Sequence, residues 1–149
     1  MRAMICRAWG APGELRLEEV DPPRPAAGQI IIKVAASCIN YADTLMIKGQ
    51  YQSRPAFPFA PGLEAAGEVL RRGDAVSRFK PGDRVMALLA HGGFAEQAVA
   101  AESDCFKVPD EMDFDTAAAF LVGNVSSHVA IRWQAKLETG ETLLVLGAS

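Results

Sequence analysis

The chain has 149 residues, long enough for one domain with a buried core; half of it is hydrophobic and 22% is charged. A net charge of −3 without a basic run argues against nucleic-acid binding, and the apolar runs are too short and too broken by charge to span a bilayer. Three widely spaced cysteines (Cys6, Cys38 and Cys105) without a CxxC pair argue against a disulfide scaffold; with an N-terminus, MRAMICRAWG, that lacks the apolar core of a signal peptide, they point to the cytoplasm.

Residues 3–9 and 14–20 read as paired strands around a Gly10-Ala11-Pro12-Gly13 turn, with Leu15, Leu17 and Val20 on one inward face. Residues 21–28 form a Pro-rich linker, and QIIIKVAAS at 29–37 is the β-branched run of a buried strand. Residues 37–69 begin as that strand ends, pass through a polar turn and one or two helical turns, cross a Pro-rich loop and rejoin a strand at Gly62-Leu63-Glu64-Ala65-Ala66-Gly67, and Gly67 to Leu70 is another strand. Long ordered loops in compact domains are usually functional, and this one gathers most of the candidate site residues.

Lys80-Pro81-Gly82-Asp83 is a turn signal before a strand over residues 84–89. Gly92-Gly93 separates that strand from another over 94–100, and 105–108 is a short strand. Many short strands with regular turn signals suggest a barrel or sandwich. After Pro109 the pattern changes: Asp113 or Asp115 caps a helix, Gly123-Asn124 interrupts, and a second helical run covers about 126–135. The apolar run 143–146, followed by Gly147-Ala148-Ser149, has the character of a first Rossmann strand and its phosphate turn. Only one glycine, Gly147, stands where a phosphate-binding loop needs several.

Asn40 and Asp43, GQY at 49–51, PGLEAAGEV at 61–69, FKPGDRVMAL at 79–88, GGFAEQAVA at 92–100 and LETGETLLVLGAS at 137–149 occur in order. In them the chain resembles the medium-chain dehydrogenase/reductase superfamily and, within it, the zinc-free quinone oxidoreductase branch. The resemblance implies a mainly β, α+β fold: a GroES-like partial β-barrel followed by helices and the first strand of a truncated Rossmann domain. It places a catalytic, substrate-side domain at 1–122, and a linking helix and first strand of an incomplete nucleotide-binding domain at 123–149. It implies hydride transfer from NADPH to a quinone or other conjugated carbonyl such as an enone, without zinc, by an intact protein that could be a homodimer. The 149 residues alone are expected to be inactive, with 139–149 disordered or paired as an exposed edge. The alternative is a stand-alone GroES-like binding or interaction module, or an inactive fragment.

The resemblance also assigns residues. Zinc-bearing relatives carry a cysteine ligand where Asn40 stands and histidines where Leu45 and Leu63 stand, and a catalytic zinc needs about three protein ligands. No metal ligand is therefore assigned. Asn40 and Tyr51 are the candidate catalytic donors, an amide and a phenol able to polarise a carbonyl. Asn40 also suits a helix N-cap. Asp43 holds Asn40 or a cofactor hydroxyl, or is a first-turn carboxylate favoured by the helix dipole. Ser126 falls where similar enzymes place a threonine near the nicotinamide carboxamide. Asn40, Asp43, Ser126 and Gly147 are thus the cofactor-binding candidates. Glu64, set among small residues, reads as a buried carboxylate in need of partners.

Overall fold

The computed structural model describes residues 1–147, so Ala148 and Ser149 of the expected phosphate turn lie outside the described residues. Strands β1 (Arg2–Ile5) and β2 (Arg16–Glu19) pair antiparallel. Between them the chain turns through a 3-10 segment at Pro12–Glu14. Leu17 departs from the expected inward face: it is 63% exposed. A two-stranded ribbon has one face free of any partner sheet, and Leu17 falls on it.

The main sheet contains β3 (Gln29–Ser37), β4 (Glu64–Arg72), β5 (Arg84–Leu88), β6 (Gln97–Ala101) and β7 (Cys105–Lys107). Their order is β6-β3-β4-β5-β7, with every pair antiparallel. The sheet curls into the expected partial barrel. Strand β3 is an interior strand, between β6 and β4, which suits its composition: Ile30, Ile31 and Ile32 are consecutive and all fully buried, so both faces are covered. Each such side chain contributes about 1.5–3 kcal/mol on burial.

Strands alternate their side chains between faces, and here the two faces carry different cores. Ala65, Val85 and Ala87 join Ile30, Ile32 and Val69 inside the curl. Ala66 and Met86 point the other way, onto Val108, Ala117, Ala118 and Leu121. Glu64 has the parity of Ala66, so the strand period turns its carboxylate toward the helical side.

Three helices follow the readings unevenly. Helix α1 (Tyr41–Ile47) lies in the 37–69 loop. Helix α2 (Phe114–Ala118) is capped by Asp113, whose Oδ1 accepts the Thr116 N–H at 2.7 Å. Helix α3 (Leu121–His128) runs straight through Gly123-Asn124, where an interruption was expected. The Asn124 amide donates back to the Phe120 carbonyl at 2.8 Å and stays within the helix; the break falls at Ala119–Phe120 instead. A π-helical stretch, Val129–Gln134, continues α3.

Leu121 is the last fully buried side chain among the described residues. Residues 143–146, which have the composition of a first Rossmann strand, form no strand, and Leu144 and Leu146 are 78% and 83% exposed. A strand exists only with a ladder partner, and no described segment supplies one to these residues. No helix among the described residues is long and apolar enough to cross a membrane.

Candidate active site

The end of β3, the start of α1 and the start of β4 meet in a buried polar cluster. Asn40 occupies the N-cap of α1 in extended conformation, as its residue type favours. Its side chain does not cap the helix. The cap role passes to Asp43, whose Oδ2 accepts the Asn40 backbone N–H at 2.8 Å. The other oxygen, Oδ1, accepts the Gly62 N–H at 3.1 Å. Asp43 is fully buried. Burial pushes its carboxyl above the ordinary range, opposed by the N–H groups of Asn40, Gly62 and Leu63.

The freed Asn40 amide reaches across to β4, where Nδ2 donates to Glu64 Oε1 at 3.0 Å. Glu64 Oε2 accepts the Val122 N–H of α3, also at 3.0 Å. Phe120, at the N-cap of α3, offers no side-chain acceptor, so Glu64 satisfies one of the orphan donors at that helix end from 58 residues away. Glu64 is 2% exposed, and both its oxygens are engaged. Both carboxylates thus have the partners that burial demands.

Gly62 makes the cluster possible. Its φ is +105°, and a Cβ there would stand 2.6 Å from Gly93 Cα and from the Phe94 nitrogen. The Gly93 N–H donates to the Gly62 carbonyl at 3.0 Å, so the two segments cannot separate freely. Gly62→Ala is expected to cost about 2–5 kcal/mol, combining a left-handed backbone with backbone overlap. Urea denaturation measures it; a loss below about 1 kcal/mol would mean that the 61–62 and 93–94 segments part easily.

Tyr51 belongs to a separate, apolar cluster. Its ring packs against Cys6, Met46, Ile47 and Phe59, and it shares no hydrogen bond with Asn40 among the described residues. Ser126 is exposed on α3, one turn after Val122 and on the same helix face. Gly147 has a φ of +70° and open space around it. An apolar cleft of about 440 Å³ beside α1 is walled by Met4, Leu15, Ile39, Ile47 and Phe94 and reaches Asp43, but neither Asn40 nor Tyr51 lines it. Ile39 and Tyr41, on either side of Asn40, are 76% and 78% exposed.

At the positions where zinc-bearing relatives place ligands stand Asn40, Leu45 and Leu63, and no three His, Cys, Asp or Glu side chains gather among the described residues. Burial and the neighbouring Glu64 carboxylate raise the Cys38 thiol pKa. Glu64 as the partner of Asn40 was beyond the reach of sequence reading. The one signal available was a carboxylate among small, apolar neighbours.

Residues 26–110 match the alcohol dehydrogenase GroES-like domain family. The chain is 40% identical over 151 residues to a quinone oxidoreductase of Lama guanicoe, covering 100% of this chain and 46% of that protein. It therefore spans a little under half the length of that curated relative. A crystal structure of a probable oxidoreductase from Mycobacterium abscessus superposes with a TM-score of 0.91 at 35% identity, over 99% of this chain and 48% of that one. The structure of Escherichia coli quinone oxidoreductase complexed with NADPH gives 0.85 at 28% identity, over 90% and 41%. With that sheet, that family match and these relatives, the chain belongs to the quinone oxidoreductase-like branch of the medium-chain dehydrogenase/reductase superfamily.

Proposed function

We propose that this chain is the substrate-side part of an oxidoreductase that passes hydride from NADPH to a quinone or other conjugated carbonyl without zinc. The observation that carries the reading is the seating of Asn40. One N–H of its amide is spent on Glu64, while its second N–H and its oxygen have no protein partner among the described residues. A donor fixed in this way stabilises the oxyanion that develops as hydride reaches a conjugated carbonyl. The Tyr51 hydroxyl, also without a protein partner among the described residues, is the second donor. The naming of relatives as quinone oxidoreductases, one of them complexed with NADPH, supports the substrate class and the nucleotide.

The cofactor fits this chain in part. Asn40 and Ser126 have free polar groups for the nicotinamide end. Asp43 is turned inward with both oxygens accepting from backbone, so its part is to hold Asn40 rather than a cofactor hydroxyl. Gly147 has the backbone of a glycine turn, but no further glycine accompanies it among the described residues to cradle a pyrophosphate. When bound, the nicotinamide supplies the hydride; the protein supplies orientation and the polar clamp.

The test is quinone-dependent NADPH oxidation by the complete gene product, before and after dialysis against a strong chelator, with elemental analysis. Turnover is expected to survive unchanged without stoichiometric zinc. One zinc per chain, with activity that follows it, would overturn the zinc-free reading. Absence of turnover with any quinone or enone would overturn the oxidoreductase reading.

A further inference from the structure

We propose that Glu64 is a positioning residue: it fixes the direction of the Asn40 side-chain amide, and so decides which of its groups a bound carbonyl meets. The proposal rests on the reading of Asn40 as the carbonyl donor.

An asparagine amide has two faces of similar shape and opposite chemistry, a carbonyl oxygen and an NH₂. Nothing in its own geometry selects one orientation. A carboxylate does, because it accepts and cannot donate. Glu64 Oε1 stands 3.0 Å from Asn40 Nδ2, and an amide oxygen at that place would set lone pair against lone pair. Glu64 is itself held: it is 2% exposed, and its other oxygen is anchored by the Val122 N–H at 3.0 Å. Asp43 meanwhile fixes the backbone of Asn40 through the 2.8 Å bond to its N–H. Backbone position and amide direction are therefore set by two different buried carboxylates. The anchor on α3 also links the amide to the helix that carries Ser126.

Glu64→Gln tests this without uncapping α3. The new amide oxygen can still accept from Val122, which leaves its NH₂ facing Asn40. Asn40 must then flip its oxygen inward, which moves its NH₂ to the place the oxygen held and takes the free N–H away from the place it occupies in the wild type. The experiment uses Asn40→Ala, Glu64→Gln and the double variant of the complete gene product, with Tm as the check on folding. Glu64→Gln is expected to lower kcat roughly 10-fold, as for a misdirected donor, with KM little changed. On the Asn40→Ala background it is expected to add nothing. ¹⁵N spectra should show the Asn40 Nδ2 proton that faces Glu64 protected from exchange in the wild type and that protection lost in Glu64→Gln. A Glu64→Gln loss that persists undiminished in the double variant would overturn the proposal, because Glu64 would then act without Asn40. An unchanged Asn40 side-chain signal in Glu64→Gln would overturn it as well. Full activity in Asn40→Ala would instead sink the carbonyl reading itself, and the spectra alone would then decide whether Glu64 directs the amide.

Discussion

Asn40→Ala is expected to lower kcat/KM for quinone reduction roughly 10- to 1000-fold, the range for losing one oxyanion donor. The fall should appear mainly in kcat, because the oxygen gains its charge only as hydride arrives. The backbone N–H of Asn40 keeps its bond to Asp43 whatever the side chain, so α1 should remain in place. The variant does leave Glu64 Oε1 without its donor, and a modest loss of stability is expected from that. Tyr51→Phe is expected to fall in the same activity range with stability nearly unchanged, since the ring keeps its packing on Met46, Ile47 and Phe59. Steady-state kinetics of both variants, paired with urea denaturation, checks the expectation. Wild-type kcat/KM in both would return Asn40 to a helix-cap position and Tyr51 to packing.

The parts of the fold that were legible in the sequence are those where one local cause dominates. Three consecutive isoleucines, Ile30, Ile31 and Ile32, can be buried together only in a strand covered on both faces, and β3 is that strand. Asp113 before a run of helix formers caps α2. The failures come where a distant partner decides. Leu17 alternates correctly but belongs to a two-stranded ribbon with no cover on that face. Gly123-Asn124 looked like a break, yet Asn124 bonds within the helix, and Glu64 caps the helix from another strand.

The site divides in the same way. Asn40 and Asp43 stand three residues apart, the spacing of an N-cap and its first helical turn, so their backbone bond was readable from sequence. The competing use of the Asn40 side chain was not, because Glu64 lies 24 residues on and arrives through strand pairing. Asp43 toward Gly62 was hidden for the same reason. Strand parity, which turns Glu64 to the helical face, could be stated only once β4 was known to run as one strand from Glu64 to Arg72 and its packing faces were seen.

Asp43→Ala is expected to cost about 2–4 kcal/mol of stability. Two backbone donors, on Asn40 and Gly62, lose their acceptor, and a buried donor left unsatisfied costs about 1–3 kcal/mol. The sum is reduced because the variant no longer buries a carboxylate, whose desolvation works against the native state. That opposition gives the effect a pH dependence with a definite sign. Burial raises the native Asp43 carboxyl above its unfolded value, so the native state holds the proton more tightly than the unfolded chain does. Asp43 therefore contributes most below its unfolded value of about 3.9, and part of that contribution is lost as pH rises through the raised native value. The gap between wild type and Asp43→Ala should be widest at the acid end of the folded range, narrow across that window and stay constant above it. Asp43→Asn keeps one acceptor and converts the other into a donor, so it should recover only part of the loss. Urea denaturation of all three proteins between pH 4 and pH 8 measures each of these differences, about 1.4 kcal/mol for each unit of native shift. Equal stability of wild type and Asp43→Ala at every pH would mean that burying the charge offsets both bonds, and that Asn40 is held in place by Glu64 alone. A gap that widens toward alkaline pH would mean that the two backbone N–H groups outweigh desolvation and that the native carboxyl lies below its unfolded value.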